Sequence, residues 1–105
     1  MRKQVRDYIS DLISGNVPQV INKIILFGSE AYGTPRIKSD IDFAVVTESF
    51  LPQSDRMEVY EFFDSATSPK EVRIVFMVDG EFREGFDVRR DILGKGVCVY
   101  EKQHL

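Results

Sequence analysis

Four short apolar runs alternate with amphipathic stretches along the 105-residue chain, and this alternation limits the possible folds more than any other feature. Each run has the length of a β-strand and stops at turn-forming or charged residues. The stretches between them carry apolar residues at helical spacing or begin with a helix-capping residue. One sheet with helices packed against it follows from this order. The strands are predicted at 22–27, 41–46, 71–78 and 97–100, and the helices at 2–13, 30–32, 54–65 and after Asp79 through Leu93.

The length and composition indicate one globular domain spanning residues 1–105, with 43% hydrophobic and 30% charged residues. A formal net charge of -3 argues against a dedicated nucleic-acid binder, which would rely on neutralising phosphates. We find no apolar run long enough to span a membrane, and the opening residues lack a signal-peptide stretch, so a cytoplasmic location is expected. The single Cys98 has no disulfide partner and is expected to be buried in a strand.

The residues that indicate chemistry are Gly28-Ser29, directly after the first apolar run, and Asp40-Ile41-Asp42, at the start of the second. Side chains two apart in a strand share a face, so Asp40 and Asp42 would have Cα atoms roughly 6.6 Å apart. Two adjacent carboxylates repel each other unless a positive charge neutralises them. Mg²⁺ is the usual partner of such oxygen ligands when nucleotide phosphates are also bound. We therefore predict a metal site at Asp40 and Asp42.

The Gly28-Ser29 turn is suited to binding phosphate. Gly28 lets the backbone approach an anion closely, and Ser29 can offer its N–H and its hydroxyl at the start of a short helix. Arg36 and Lys38, in the loop that follows, are expected either to reach the β and γ phosphates or to be merely solvated. The alternative for the acidic pair is a strand entrance in which Asp40 is a turn residue. That alternative leaves Asp42 unexplained, because an ionised carboxylate between Ile41 and Phe43 needs solvent or a partner charge.

The pattern Gly28-Ser29-x10-Asp40-x-Asp42, followed by Phe43-Ala44-Val45-Val46, resembles the signature of minimal nucleotidyltransferases of the DNA polymerase β superfamily. The resemblance implies an α/β (α+β) fold with a mixed sheet like the polymerase β palm. It also implies Mg²⁺ held by Asp40 and Asp42, and triphosphate contacts from Gly28 and Ser29. The implied reaction transfers a nucleoside monophosphate from ATP, or another nucleoside triphosphate, to an acceptor hydroxyl. Bacterial members of the family commonly pair with an all-helical HEPN protein as toxin and antitoxin, so such a partner is expected.

The sequence departs from the family pattern at Arg73. The family usually has a third carboxylate on the next strand, and the matching segment here is Val72-Arg73-Ile74-Val75. A guanidinium cannot accept a proton at neutral pH, so one metal position would be weakened or lost. A change of strand register could bring the carboxylate of Glu71 into that role. Alternatively, Arg73 pairs with Asp40 or Asp42 as a substitute cation and leaves a site that binds nucleotide poorly or not at all.

Three hypotheses of function follow. The first is a Mg²⁺-dependent nucleotidyltransferase, with Asp40 and Asp42 catalytic, Glu71 a possible third ligand, and the acceptor on a partner protein or another small hydroxyl. The second is a binding protein, an antitoxin-like module that neutralises a HEPN partner while its nucleotide site is degenerate because of Arg73. The third is a structural subunit, in which the apolar helix at 54–65 forms the face of a homo-oligomer.

Overall fold

A computed structural model describes residues 1–32, 40–79 and 95–103 of the chain. The helix predicted after Asp79 lies outside these residues. The described part contains three helices and four strands, in an order that matches the predicted alternation. They are α1 (Lys3–Ser14), β1 (Lys23–Phe27), α2 (Ser29–Tyr32), β2 (Ile41–Thr47), α3 (Gln53–Asp64), β3 (Val72–Val78) and β4 (Val97–Glu101).

The four strands form a single mixed sheet in the order β3-β2-β1-β4. Strand β1 is antiparallel to both β2 and β4, whereas β2 and β3 are parallel. A parallel pair needs a crossover connection, and α3 supplies it between β2 and β3. The mixed sheet with packed helices confirms the predicted fold class.

The main core lies on one face of the sheet and is built by alternate strand residues together with the two long helices. Helix α1 contributes a buried stripe at helical spacing, and α3 buries one side that includes Phe63. The hydroxyl of Tyr8 donates a hydrogen bond of 2.6 Å to the Phe63 carbonyl oxygen, which joins the two helices. Burial, with a smaller contribution from the nearby Asp64 charge, raises the pKa of Tyr8 to about 12.

The opposite face of the sheet carries the predicted acidic site. Its central strands bury a second, smaller cluster of Ile25, Ala44, Val46 and Met77, with Phe27 packed against it. Asp42 precedes Ala44 by two positions, and Arg73 precedes Met77 by four, so both project toward this face. The site therefore lies on the face that α1 and α3 leave uncovered.

Two surface features bear on the predictions. Cys98 is exposed, so its predicted burial is wrong. Strand β4 lies at an edge of the described sheet, and its residues are exposed or only half-buried. Met57 and Tyr60 of α3 also point outward, although they belong to its apolar residues. Within the described ranges, no helix combines the length and the apolar character needed to cross a membrane.

Candidate nucleotide and metal site

The turn after β1 brings Gly28 against the carboxylate of Asp42. The backbone of Gly28 has a φ of +76°, a conformation that L side chains rarely adopt. A Cβ at this position would collide with Oδ2 of Asp42 and lie 3.2 Å from its Cγ. The contact arises because Asp42 pairs with Phe27, the residue before the glycine. Glycine is thus required here both by the backbone conformation and by the carboxylate that covers it.

Helix α2 starts directly after this turn, with Ser29 as its first residue. The backbone N–H of Ala31 donates to the carbonyl oxygen of Gly28 at 3.1 Å, which closes the turn. Ser29 lies at the start of a short helix, as predicted, and its contact with phosphate stays a prediction. Arg36 and Lys38, the other predicted phosphate ligands, lie outside the described residues.

The two aspartates of the site differ in their environments. Asp40 lies one residue before β2, and Asp42 is the second residue of that strand. Their side chains are 33% and 20% exposed, so both remain open to a ligand. Partial burial raises the pKa of Asp42 above its usual value; the Arg73 charge opposes this effect and the Asp40 charge adds to it. The pair thus forms a concentration of negative charge that favours a cation.

The positively charged guanidinium of Arg73 lies beside the carboxylates of Asp40 and Asp42. Its backbone pairs directly with that of Asp42 in the parallel ladder, so the two side chains lie side by side on one face. Nε of Arg73 is 3.8 Å from Oδ1 of Asp42 and 4.0 Å from Oδ2 of Asp40. Both distances exceed those of hydrogen bonds, so these are loose ion pairs. The arrangement is the one expected if Arg73 acts as a substitute cation.

The structure does not bring Glu71 into the acidic pair. The ladder runs in regular register from Ile41 and Val72 onward, and the N–H of Ile41 donates to the carbonyl oxygen of Glu71 at 2.8 Å. The register change that would recruit the Glu71 carboxylate is therefore not observed. In the part of the chain that the structure describes, no three acidic, histidine or cysteine side chains form a group able to hold a metal ion.

These side chains fit one divalent cation better than two. Mg²⁺ is commonly bound through one or two carboxylates, with water and substrate phosphates completing its shell. Asp40 and Asp42 meet that requirement, and the Gly28 turn adjoins them for a phosphate. A pair of ions needs further anionic ligands to hold both. Arg73 instead brings a positive charge to the position where the third carboxylate would be expected.

Sequence reasoning missed Glu30, the residue after Ser29. Its side chain is fully buried, and Oε1 lies 3.1 Å from Nζ of Lys70 and 3.7 Å from Nε of Arg2. Oε2 has no hydrogen-bond partner among the described residues. Glu30 therefore ties the short helix of the phosphate turn to the start of α1 and to the loop before β3. No local pattern announces such a role, since its partners are remote in the chain.

Comparison with solved structures finds similar chains among toxin–antitoxin complexes. A chain from a crystal structure of a toxin–antitoxin with AMP-PNP is 27% identical, with a TM-score of 0.61, covering 97% of this chain and 76% of the other. A chain from a mutant of the toxin–antitoxin MntA-HpeT is 26% identical, with a TM-score of 0.60 and coverages of 92% and 73%.

A chain from a structure of tri-AMPylated Shewanella oneidensis HEPN toxin in complex with MNT antitoxin is 24% identical, with a TM-score of 0.55 and coverages of 97% and 74%. A sequence identity of 24% supports a shared fold and no shared function. The comparison with curated proteins finds no significant match.

The family model described as polymerase beta, nucleotidyltransferase matches residues 8–105, which include the Gly28 turn, both aspartates and Arg73. The mixed sheet and the glycine turn packed on an acidic strand agree with that match. This chain belongs to the polymerase beta nucleotidyltransferase family, and its structural neighbours include chains from toxin–antitoxin complexes.

Proposed function

We propose that this protein binds ATP together with Mg²⁺ and transfers the nucleoside monophosphate to a hydroxyl group on a partner protein. The observation that supports this most directly is the contact between the Gly28 turn and the Asp42 carboxylate, which juxtaposes a phosphate-binding backbone and a cation-binding side chain. A crystal structure of a similar chain contains AMP-PNP, which adds support for a nucleoside triphosphate as the ligand.

Each residue of the site would have a distinct role. The backbone at Gly28 and Ser29 donates hydrogen bonds to phosphate oxygens, and the helix start at Ser29 orients these donors. Asp40 and Asp42 hold Mg²⁺, which when bound supplies positive charge against the triphosphate. In the reaction, the acceptor oxygen forms a bond to the α-phosphorus and the bond to the β-phosphate oxygen breaks. Pyrophosphate leaves with that electron pair, and the acceptor proton passes to solvent.

The acceptor and the remaining contacts to the base would come from a partner. A pocket for a nucleotide and an acceptor usually forms between domains or subunits, and this chain is a small single-sheet unit. The similarity to chains of toxin–antitoxin complexes favours a protein partner, and the sequence resemblance makes a helical HEPN-type protein the expected one. The outward-facing Met57 and Tyr60 offer apolar surface for contact. We place the complex in the cytoplasm, in line with a single unpaired cysteine.

Calorimetric titration of MgATP into the purified protein tests the nucleotide site. Wild type should bind in a magnesium-dependent manner, and Asp42→Asn should lose that dependence while its fold is retained. Glu101→Gln is the matched carboxylate control, because Glu101 also forms a loose ion pair on this sheet, with Lys23 at 3.8 Å; Lys23→Met removes the cation of the same pair. Absence of binding to wild type, alone and with the partner present, would overturn the proposal.

A second function is favoured by the ion pairs of Arg73. If the guanidinium permanently replaces a metal ion, the chain would be an antitoxin-like binding module that neutralises a HEPN toxin by occluding it. The distances from Arg73 to both aspartates support this candidate, as does the lack of a third carboxylate among the residues described.

Transfer and partner binding distinguish the two candidates. If the protein is an enzyme, wild type should label the partner with radioactivity from α-labelled ATP, and Asp42→Asn should abolish labelling but leave the complex intact. If it is a binding module, wild type should not label, and Arg73→Asp should create labelling by supplying the third carboxylate. Loss of the complex in Asp42→Asn would contradict this division between site and interface.

A further inference from the structure

We propose that Arg73 is an exchangeable cation: it pairs with Asp40 and Asp42 in the free protein and moves to the phosphates when a nucleoside triphosphate brings a divalent cation. The identity of the ligand rests on the proposed function. The behaviour of Arg73 toward the two carboxylates is inferred from the geometry of this site alone.

The ion pairs of Arg73 with Asp40 and Asp42 are weak and can be broken at little cost in free energy. Its backbone is fixed beside Asp42 by the parallel ladder, so the side chain cannot leave the neighbourhood of the site. The side chain itself is 69% exposed, and Nε stays beyond hydrogen-bond distance of both carboxylates. Water screens such pairs strongly, and they contribute little to stability. The guanidinium is thus tethered to the site but only loosely held on the aspartates.

The balance of charge explains why the exchange would occur. Two carboxylates with one guanidinium leave a net negative charge, which attracts a divalent cation. Once that cation binds the carboxylates, Arg73 would face a positive charge at close range and would be repelled. A triphosphate removes this conflict because its oxygens provide new anionic partners for Arg73. The planar guanidinium can donate two parallel hydrogen bonds to one phosphate group.

The position of the phosphate turn makes this second partner reachable. Gly28 contacts Asp42 from the side of β1, and Arg73 flanks Asp42 from the side of β3. Neighbouring strands are about 4.8 Å apart, so the turn and the Arg73 backbone are separated by roughly 10 Å. An extended arginine side chain together with a bound phosphate can bridge that distance. Arg73 would then supply positive charge to the phosphates at the place where a second metal ion would otherwise act.

A binding order follows from this exchange. Without nucleotide, a divalent cation must displace Arg73 and binds weakly. With nucleotide, displacement is compensated by the phosphate contacts, so cation and nucleotide strengthen each other's binding. The chain would therefore take up its metal as a complex with the nucleotide and would resist free divalent cations.

Manganese binding tests the exchange without any measurement of catalysis. Free Mn²⁺ is counted by electron paramagnetic resonance in wild type, Arg73→Met, Arg73→Lys and the control Lys23→Met, with and without AMP-PNP. Without the analogue, Arg73→Met should bind Mn²⁺ about two- to fivefold more tightly than wild type, because displacing a loose, exposed ion pair costs little, whereas Arg73→Lys and Lys23→Met should bind it no more tightly than wild type. Addition of AMP-PNP should raise the Mn²⁺ affinity of each variant, and this increase should be at least about fivefold smaller in Arg73→Met than in wild type.

Several results would overturn the inference. Equal binding of free Mn²⁺ by wild type and Arg73→Met would show that Arg73 does not compete for the carboxylates. An unchanged gain with AMP-PNP would show that it does not contact the phosphates, even if the analogue binds. Failure of the analogue to bind any variant would overturn the proposed function and this inference with it. Arg73→Lys guards against misfolding as an explanation, because it keeps the charge and the position.

Discussion

Two groups of charged side chains lie at the same end of the sheet and have opposite designs. In the first, termed the buried cluster, one carboxylate, Glu30, is shared by Arg2 and Lys70. In the second, termed the open cluster, one guanidinium, Arg73, is shared by Asp40 and Asp42. The buried cluster encloses its carboxylate completely, whereas every side chain of the open cluster retains contact with solvent.

The difference in burial suits the first cluster to a structural role and the second to the proposed exchange of cations. A charge enclosed in protein cannot be left without its partners, so the buried cluster fixes the phosphate turn in place. An exposed pair is screened and inexpensive to break, so the open cluster can exchange its cation for another. The buried cluster thus anchors the turn whose backbone is proposed to bind phosphate beside the open cluster.

The largest effect is expected for Glu30→Gln. The substitution keeps the shape of the side chain but leaves Lys70 and Arg2 facing a neutral group, which should lower the free energy of unfolding by about 3 kcal/mol. Urea denaturation followed by circular dichroism measures the loss. Asp40→Asn in the open cluster is the matched carboxylate change and should cost less than about 1 kcal/mol. Similar losses in the two variants would refute the distinction between the clusters.

A smaller loss is expected for Gly28→Ala, at the point where the two clusters meet. Alanine at position 28 would have to keep a positive φ, and its Cβ would collide with Asp42. Together these two effects should destabilise the fold by about 1–2 kcal/mol. Displacement of the Asp42 carboxylate should also weaken binding of MgATP. Calorimetry and urea denaturation measure the two effects.

Gly15→Ala supplies the matched glycine control. Gly15 ends α1 with a negative φ of -90°, and a Cβ there would meet the Leu12 oxygen at 3.7 Å, an ordinary contact. This variant should be neutral or slightly more stable, because alanine restricts the unfolded chain. If Gly28→Ala behaved like Gly15→Ala, the close packing of the turn on Asp42 would not matter.

Local sequence patterns predicted the helices and strands of the fold better than they predicted how the strands pair. Helical spacing predicted α1 and α3 to within a residue at each end, because capping and glycine or proline signals act over a few residues. The order of the strands depends on contacts between remote segments, which apolar periodicity does not encode. The error at Cys98 has the same origin, since an apolar run does not reveal that its strand lies at an edge.

The candidate site divides in the same way. The period of two along a strand placed Asp42 and Arg73 on predictable faces, and their juxtaposition needed only regular register with β3. Glu30 could not be predicted, because its partner Lys70 lies 40 residues away and a glutamate beside a turn is ordinarily solvated. Local chemistry therefore indicated the open cluster, while the buried cluster emerges only from tertiary packing.

A third prediction concerns how the open cluster responds to pH. Burial raises the pKa of Asp42 in the folded protein, so ionisation of this side chain disfavours folding. The associated stability is present below the unfolded pKa and is lost as pH rises through the folded pKa. Asp42→Asn should therefore have a higher Tm than wild type at pH 7, and this advantage should shrink as the pH falls toward 4. A Tm difference that instead grows on acidification would contradict the assigned cause.

The smallest effect is expected for Arg73→Met, and its dependence on salt sharpens the comparison. The loose, exposed pairs should contribute less than about 1 kcal/mol to the free energy of unfolding in low salt. Raising NaCl from 0.05 to 1 M shortens the screening length to about 3 Å, so the difference from wild type should vanish. The deficit of Glu30→Gln should persist under the same conditions, because salt does not reach a fully enclosed carboxylate. Urea denaturation at both ionic strengths measures this contrast, and a salt-independent effect of Arg73→Met would mean that the open cluster is structural after all.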